Sequence, residues 1–289
     1  MAEKADVLLI DRILNSGLLE KAEAILREKI ASGEETVFEK LGNVYRQQGK
    51  LRKAAEVYDR WAEKYPQSQK AKYLSDLCNQ RTLLVEWPEE GFVPTPFHIR
   101  ENFLPTAFHD ELLRFVIDSR ERFEPSELLS DQDGELKSGH YPELHNSTQI
   151  NLKTELKKRF LAEVAKFLPS IGKQAYVARC KAGEPFLLHH GDGNYFAAHT
   201  DNYETDNPGI TLVYYFSGPE GKFSGGGNVF YDTEMKGNTC DGNSFTLLPF
   251  AGNRLVAFPG KHYHGVLPVR MSDARFECGR FSLVTFLTP

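Results

Sequence analysis

Apolar positions along the first eighty or so residues recur with a period of about 3.6, with no strand-type alternation, which predicts helix throughout. Leu8, Leu9, Ile13 and Leu14 open one stripe. Gly17 breaks it, and Leu19, Ala22, Ile25, Leu26 and Ile30 carry a second. Phe38, Leu41, Val44 and Tyr45 form a third. Ala54, Ala55, Val57, Tyr58, Trp61 and Ala62 form a fourth, which stops at Tyr65-Pro66, as helices commonly do before proline. A further helix is expected over residues 68–84. Pro88, Gly91, Pro94 and Pro96 cannot continue it, so residues 85–96 read as a linker between a helical domain, 1–84, and a second domain, 97–289. In the second domain the pattern predicts a strand over 97–104 and a helix over 105–123 with Leu112, Leu113, Phe115 and Val116 on one face. A long polar loop follows over 126–147, then a helix over 151–167. From Gln174 onwards the pattern changes to short runs rich in β-branched and aromatic residues, punctuated by Gly, Asn, Asp and Pro: 175–180, 195–198, 209–216, 228–231, 244–248, 253–258, 264–269 and 280–286. Such strands predict a jelly roll or barrel, and helices ahead of strands make the chain α+β.

Leu41, Gly42, Tyr45, Ala54, Tyr58 and Pro66 sit at the offsets of a tetratricopeptide repeat, which this stretch resembles. The resemblance implies that Gly42 and Ala54 let two helices approach closely. Setting Gly17 against Gly49 brings Ala22, Leu26 and Ile30 opposite Ala54, Tyr58 and Ala62, as in a degenerate earlier copy. Repeats of this kind present a concave face to peptides, so a protein partner is expected there. The plainer alternative is a helical hairpin packed on the rest of the chain.

Composition narrows the classes. Net charge is −5 over 289 residues with no dense Lys/Arg block, which argues against a nucleic-acid surface. Cys78, Cys180, Cys240 and Cys278 lie far apart without a CxxC pair, so neither a zinc site nor a disulfide framework is expected. The charged N-terminus lacks the apolar core of a signal peptide, and no apolar run approaches membrane-spanning length. A cytoplasmic protein, without membrane association, is the expectation.

The candidate chemistry centres on His199-Thr200-Asp201. In a strand, residues i and i+2 share a face, so an imidazole and a carboxylate point the same way. They make two thirds of the facial triad that holds non-haem Fe(II). The third ligand is a His from elsewhere, His262 or His264, which also share a face if extended. Downstream, Arg280 heads an apolar strand, where an unpaired guanidinium is costly to bury and needs an anion. Its fork can hold a carboxylate by two parallel hydrogen bonds, so triad and clamp together read as an oxygenase consuming 2-oxoglutarate and O2. An internal salt bridge is the structural alternative. Arg275 lies in a polar turn and competes poorly. His140 and His145 fall in the long loop, where histidines are mostly solvated.

From Phe97 onwards the chain resembles the prolyl 4-hydroxylase-like branch of the Fe(II)/2-oxoglutarate dioxygenases, whose fold is a double-stranded β-helix (jelly roll). The likeness is carried by Gly191-Asp-Gly-Asn-Tyr-Phe-Ala-Ala-His199-Thr-Asp201-Asn202, by Val213-Tyr-Tyr-Phe216 and by Gly225-Gly-Gly-Asn-Val-Phe230. The strands leading to His264 and from Arg280 complete it. It implies His264 as the third metal ligand, Arg280 and Tyr215 on the far carboxylate of 2-oxoglutarate, and hydroxylation with release of succinate and CO2. Ascorbate would be a supporting reductant. Two departures stand out. The family usually has a Tyr about ten residues before the first ligand; here His189-His190 stand there, and His189 is expected to supply an imidazole in its place. The loop from Arg270 to Cys278 is also longer than usual. The implied substrate is a peptide or protein side chain, prolyl first, with a free amino acid or other small molecule second and a non-catalytic binding module third.

Overall fold

The computed structural model describes residues 13, 16–32, 37–81, 91–132, 135–171, 180–201, 209–218, 223–234 and 236–288. The chain forms two compact units, one of Met1–Pro96 with Phe230–Leu248, the other of Phe97–Val229 with Pro249–Pro289.

In the first unit, three of the apolar stripes become α1 (Leu19–Ala31), α2 (Phe38–Gln47) and α3 (Leu51–Lys64), and the helix expected at 68–84 is α4 (Gln69–Cys78). Most of the stripe from Leu8 to Leu14 and much of the expected linker lie outside the described residues. The Ser68 hydroxyl starts α4 by accepting the Ala71 N–H at 3.1 Å. Ala22, Leu26, Val44, Ala54 and Tyr58 are fully buried among these helices. A Cβ on Gly42 would lie 2.2 Å from the Tyr58 ring, so only glycine allows α2 and α3 this close.

The unit also takes in strands from far along the chain. β1 (Phe92–Val93) runs antiparallel to the distal part of β9 (Asn228–Glu234), and β10 (Thr239–Leu248) pairs with β9. A buried ion pair ties α2 to this hairpin. Both terminal nitrogens of Arg46 donate to Asp232, each at 3.0 Å, and Arg46 also donates to Thr246 at 2.9 Å. The Ser244 hydroxyl occupies a further lone pair of Asp232 at 2.6 Å. Periodicity could not foresee this joint, because its two halves lie almost two hundred residues apart.

The second unit is built on one eight-stranded antiparallel sheet. Its spatial order is β2 (His98–Glu101), β11 (Arg254–Pro259), β8 (Ile210–Ser217), β13 (Arg280–Thr288), β6 (Phe186–His190), β5 (Thr148–Asn151) and the short strand Glu124–Pro125, with Lys181–Ala182 on the end of β13. On one side α5 (Thr106–Asp118) and α6 (Thr154–Ile171) cover it. Phe160 of α6 meets Tyr214, and His109 of α5 meets Tyr214 and Phe216, so alternate residues of β8 face the helices. Thr211 and Val213 of β8 face the other way, into a cavity. Across that cavity stand β7 (Tyr195–His199) and β12 (His264–Val266), paired antiparallel, with His145–Asn146 beside β7. Two layers of strands with an open space between them match the expected jelly roll.

Two regions differ from the sequence expectation. The span 126–147 is not loop throughout: β3 (Leu128–Gln132) and β4 (Glu135–Gly139) form a hairpin held by backbone pairing, which polar composition conceals. β6 was not anticipated, because Leu187 to His190 are buried on both faces and show no alternation. The strand expected at 175–180 falls almost wholly outside the described residues.

Removing one partner of a buried ion pair strands the other. Arg46→Met is expected to cost about 3–5 kcal/mol, read as a lower urea midpoint. The double change Arg46→Met/Asp232→Leu recovers part of that loss.

Candidate active site

β7 ends at His199 and β12 begins at His264, and the two residues are direct cross-strand partners. A pairing register thus brings together two imidazoles that are distant in sequence. Each ring is oriented from behind: Nδ1 of His199 meets the Ala197 carbonyl at 2.8 Å, and Nδ1 of His264 meets the His262 carbonyl at 2.9 Å. Carbonyls only accept, so each Nδ1 carries a proton and Nε2, the atom facing forward, is the one left to ligate a metal. Asp201 lies just beyond the strand, in a bend pinned by its N–H on the Gly260 carbonyl at 2.7 Å. Its carboxylate sits 3.4 Å from Nε2 of His199 and 3.2 Å from Nε2 of His264. Potential ligand atoms of the three residues lie within 4.8 Å of one another, the spacing a single metal ion requires. His264 is the third member, while His262 contributes its carbonyl behind the ring.

The electrostatics follow from this packing. Burial opposes ionisation of Asp201, but the His264 imidazole and hydrogen bonds from both rings overcome it, holding the carboxyl well below its usual range. The Thr211 hydroxyl donates to one of its oxygens at 2.5 Å. Burial and the neighbouring His264 lower the pKa of His199. Burial also opposes protonation of His264, yet the facing Asp201 carboxylate raises its pKa.

A second cluster surrounds Arg280, which is 1% exposed. One terminal nitrogen contacts Nδ1 of His190 at 3.2 Å, the other donates to Asn228 Oδ1 at 3.1 Å, and the guanidinium lies 5.0 Å from the Tyr215 ring centre. No carboxylate among the described residues pairs with it. Its Nε and the Tyr215 hydroxyl are buried without a hydrogen-bond partner among the described residues. Burial lowers the pKa of Arg280 to about 10, which still leaves it cationic at neutral pH. A Cβ on Gly226, at φ +62°, would lie 3.0 Å from Arg280 Cδ, so the glycine turn ahead of β9 makes room for the guanidinium. Arg275 is exposed and paired with Asp273 and Glu277.

Both clusters open onto one cavity of about 1100 Å³. His189 does not reach it. On β6, Phe186, Leu188 and His190 face the cavity, while His189 turns to the opposite face against Phe276 and Phe281. His190 therefore stands where an imidazole from His189 was expected. Because arginine only donates, His190 accepts at Nδ1 and carries its proton on Nε2, a buried N–H without a partner among the described residues. His145 also departs from its expected solvated state: it is 3% exposed and lines the cavity wall.

Residues 185–288 match the 2OG-Fe(II) oxygenase superfamily. An uncharacterised PKHD-type hydroxylase of Synechocystis sp. is 26% identical over 238 residues, covering 80% of this chain and 73% of that protein. Among solved structures, a prolyl hydroxylase from Trichoplax adhaerens, in complex with a hypoxia inducible factor oxygen degradation domain peptide fragment, aligns with a TM-score of 0.50 at 16% identity. It covers 66% of this chain and 83% of that one. The class is that of enzymes acting through a non-haem metal centre in a jelly roll. More narrowly, the protein is a 2-oxoglutarate-dependent dioxygenase using Fe(II), 2-oxoglutarate and O2.

Burial pushes the pKa of His145 down to about 3 and that of His189 to about 4. Both bind a proton more readily unfolded than folded, so they cost stability as pH falls below about 6.5 towards those folded values. Side-chain NMR should show His145 neutral at pH about 5, and the unfolding midpoint should fall below pH about 6.5 less steeply in His189→Phe than in wild type.

Proposed function

We propose that the chain hydroxylates a peptide or protein side chain, with His199, Asp201 and His264 as the metal ligands. The residues suit the group. Two imidazoles and one carboxylate on one side of an open cavity are the donor set of non-haem Fe(II) oxygenases. The observation that carries the reading is Arg280: a buried guanidinium with an idle Nε–H and no acid beside it among the described residues, in the same cavity as the triad.

Arg280 would take the far carboxylate of 2-oxoglutarate, assisted by the Tyr215 hydroxyl and by the Nε2–H of His190. The Thr211 hydrogen bond restrains the Asp201 carboxylate against rotation. The Nδ1 hydrogen bonds of His199 and His264 keep both rings in the tautomer that can ligate. Fe(II) with 2-oxoglutarate and O2 supplies the oxidising power that replaces a substrate C–H by C–OH while the cosubstrate becomes succinate and CO2. Asp201 keeps a carboxylate where a halogenase leaves a place for chloride, which favours hydroxylation.

Support for a peptide substrate is the size and openness of the cavity, which extends from Arg280 to the exposed Leu144 and the foot of the β3–β4 hairpin. The structural relative named above was captured with a peptide. The helical unit, read as tetratricopeptide-like on Gly42 against Tyr58 and Ala54, would serve as a peptide or partner-binding arm.

His199→Ala and Asp201→Ala should each abolish 2-oxoglutarate-dependent succinate release and leave the fold intact by circular dichroism. Incubation of wild type with cell extract should add one oxygen to a peptide, found by mass spectrometry. Oxygen added only to free metabolites would overturn the peptide reading, and succinate release unchanged in both variants would overturn the metal site.

A further inference from the structure

We propose that His145 is a positioning residue for His199, acting through the ring of Phe196. The inference rests on the reading of His199 as an iron ligand. On a regular strand Phe196 and His199, three residues apart, would face opposite sides of the sheet. Here β7 is bulged: Phe196 pairs with Val266 and His199 with His264, so three steps on β7 match two on β12. The extra residue turns Phe196 onto the face of His199. Their rings stack at 3.5 Å and 12°. His145 closes the column on the far side of Phe196 at 3.7 Å and 6°. Gly265 permits the bulge, since a Cβ there would lie 2.8 Å from the Phe196 carbonyl.

The outer end of the column is fixed independently. His145 is the cross-strand partner of Phe196, its Nε2 contacts the Ser147 hydroxyl at 2.8 Å, and Ser147 contacts Ser126 at 2.6 Å between their hydroxyls. A neutral, buried ring stacks on Phe196 without bringing charge towards the metal site. Nothing else among the described contacts holds the face of the His199 imidazole on this side. Its Nδ1 hydrogen bond fixes one edge, and the His264 ring lies tilted against it at 4.3 Å, so the stack supplies the parallel support that neither of these gives. Interactions behind a ligand typically change metal affinity by about 10–100-fold when removed.

The test measures Fe(II) affinity and the visible charge-transfer band of the anaerobic complex with Fe(II) and 2-oxoglutarate, alongside thermal unfolding. Three variants are compared with wild type: His145→Ala, His145→Phe and Phe196→Leu. His145→Ala and Phe196→Leu should weaken Fe(II) binding by about 10-fold or more and shift the band. His145→Phe, which keeps the stack without the nitrogens, should restore both. If His145→Ala does not fold, His145→Gln carries the same arm, since it can still bond Ser147 but has no ring. Unchanged affinity and band in the ring-deleting variants, with only the unfolding temperature lowered, would overturn the proposal. So would a His145→Phe as deficient as His145→Ala. A wild-type chain that binds no Fe(II) would overturn the oxygenase site and this inference together, whereas intact wild-type binding with unresponsive variants overturns the inference alone.

Discussion

A buried guanidinium with no acid beside it among the described residues is the constraint on which the second unit turns. Arg280 gives up its hydration and receives only neutral acceptors in return, Asn228, His190 and, at 3.5 Å, the Ser282 hydroxyl. Neutral partners do not offset the desolvation of a full charge, so such an arrangement is retained where an anion completes it. The surrounding sheet is shaped to keep the charge in place. Its strand is central, paired on one side with β8 and on the other with β6, and a glycine turn clears the space beside its methylenes. The guanidinium therefore cannot swing out to solvent to recover water.

The cluster of His199, Asp201 and His264 depends on the same economy of backbone pairing. No local sequence pattern could bring His264 to His199; an antiparallel register does so, and one bulge alters which side chains share a face. The carbonyls of Ala197 and His262 lie two residues before the rings they orient, so the backbone around each ring also supplies its own tautomer control. Layered strands make this possible because their geometry is stiff. His199, His264 and Arg280 are set by hydrogen-bonded ladders on the two sides of the cavity, and Asp201 by the bend that its N–H pins to Gly260.

Much of the site could be read from the chain itself. His199 and Asp201 share a short motif, and an arginine opening an apolar strand is a contradiction that only an anion resolves. The distal His was legible as a pair, His262 or His264, because both lie on one face of an extended segment. What escaped was whatever depends on parity or burial. His189 and His190 are chemically identical, and only the phase of β6 decides which of them enters the cavity. That strand is buried on both faces and leaves no alternating signal to set its phase. His145 was hidden by its polar neighbourhood, since Ser126 and Ser147 resemble a solvated loop until strand pairing buries them. The Arg46–Asp232 joint was hidden by distance, because neither residue carries a local sign of its partner.

The central claim is that the guanidinium recognises the second carboxylate of a keto-diacid. The most direct measurement is calorimetric titration of the metal-loaded protein with 2-oxoglutarate and with 2-oxobutyrate, which chelates alike but lacks the distal carboxylate, in wild type and in Arg280→Gln. The wild type should prefer 2-oxoglutarate by about 10–100-fold, the worth of one charge-assisted contact pair, and Arg280→Gln should abolish the preference. Equal affinity for the two acids in the wild type, or a preference that survives in Arg280→Gln, would contradict the account.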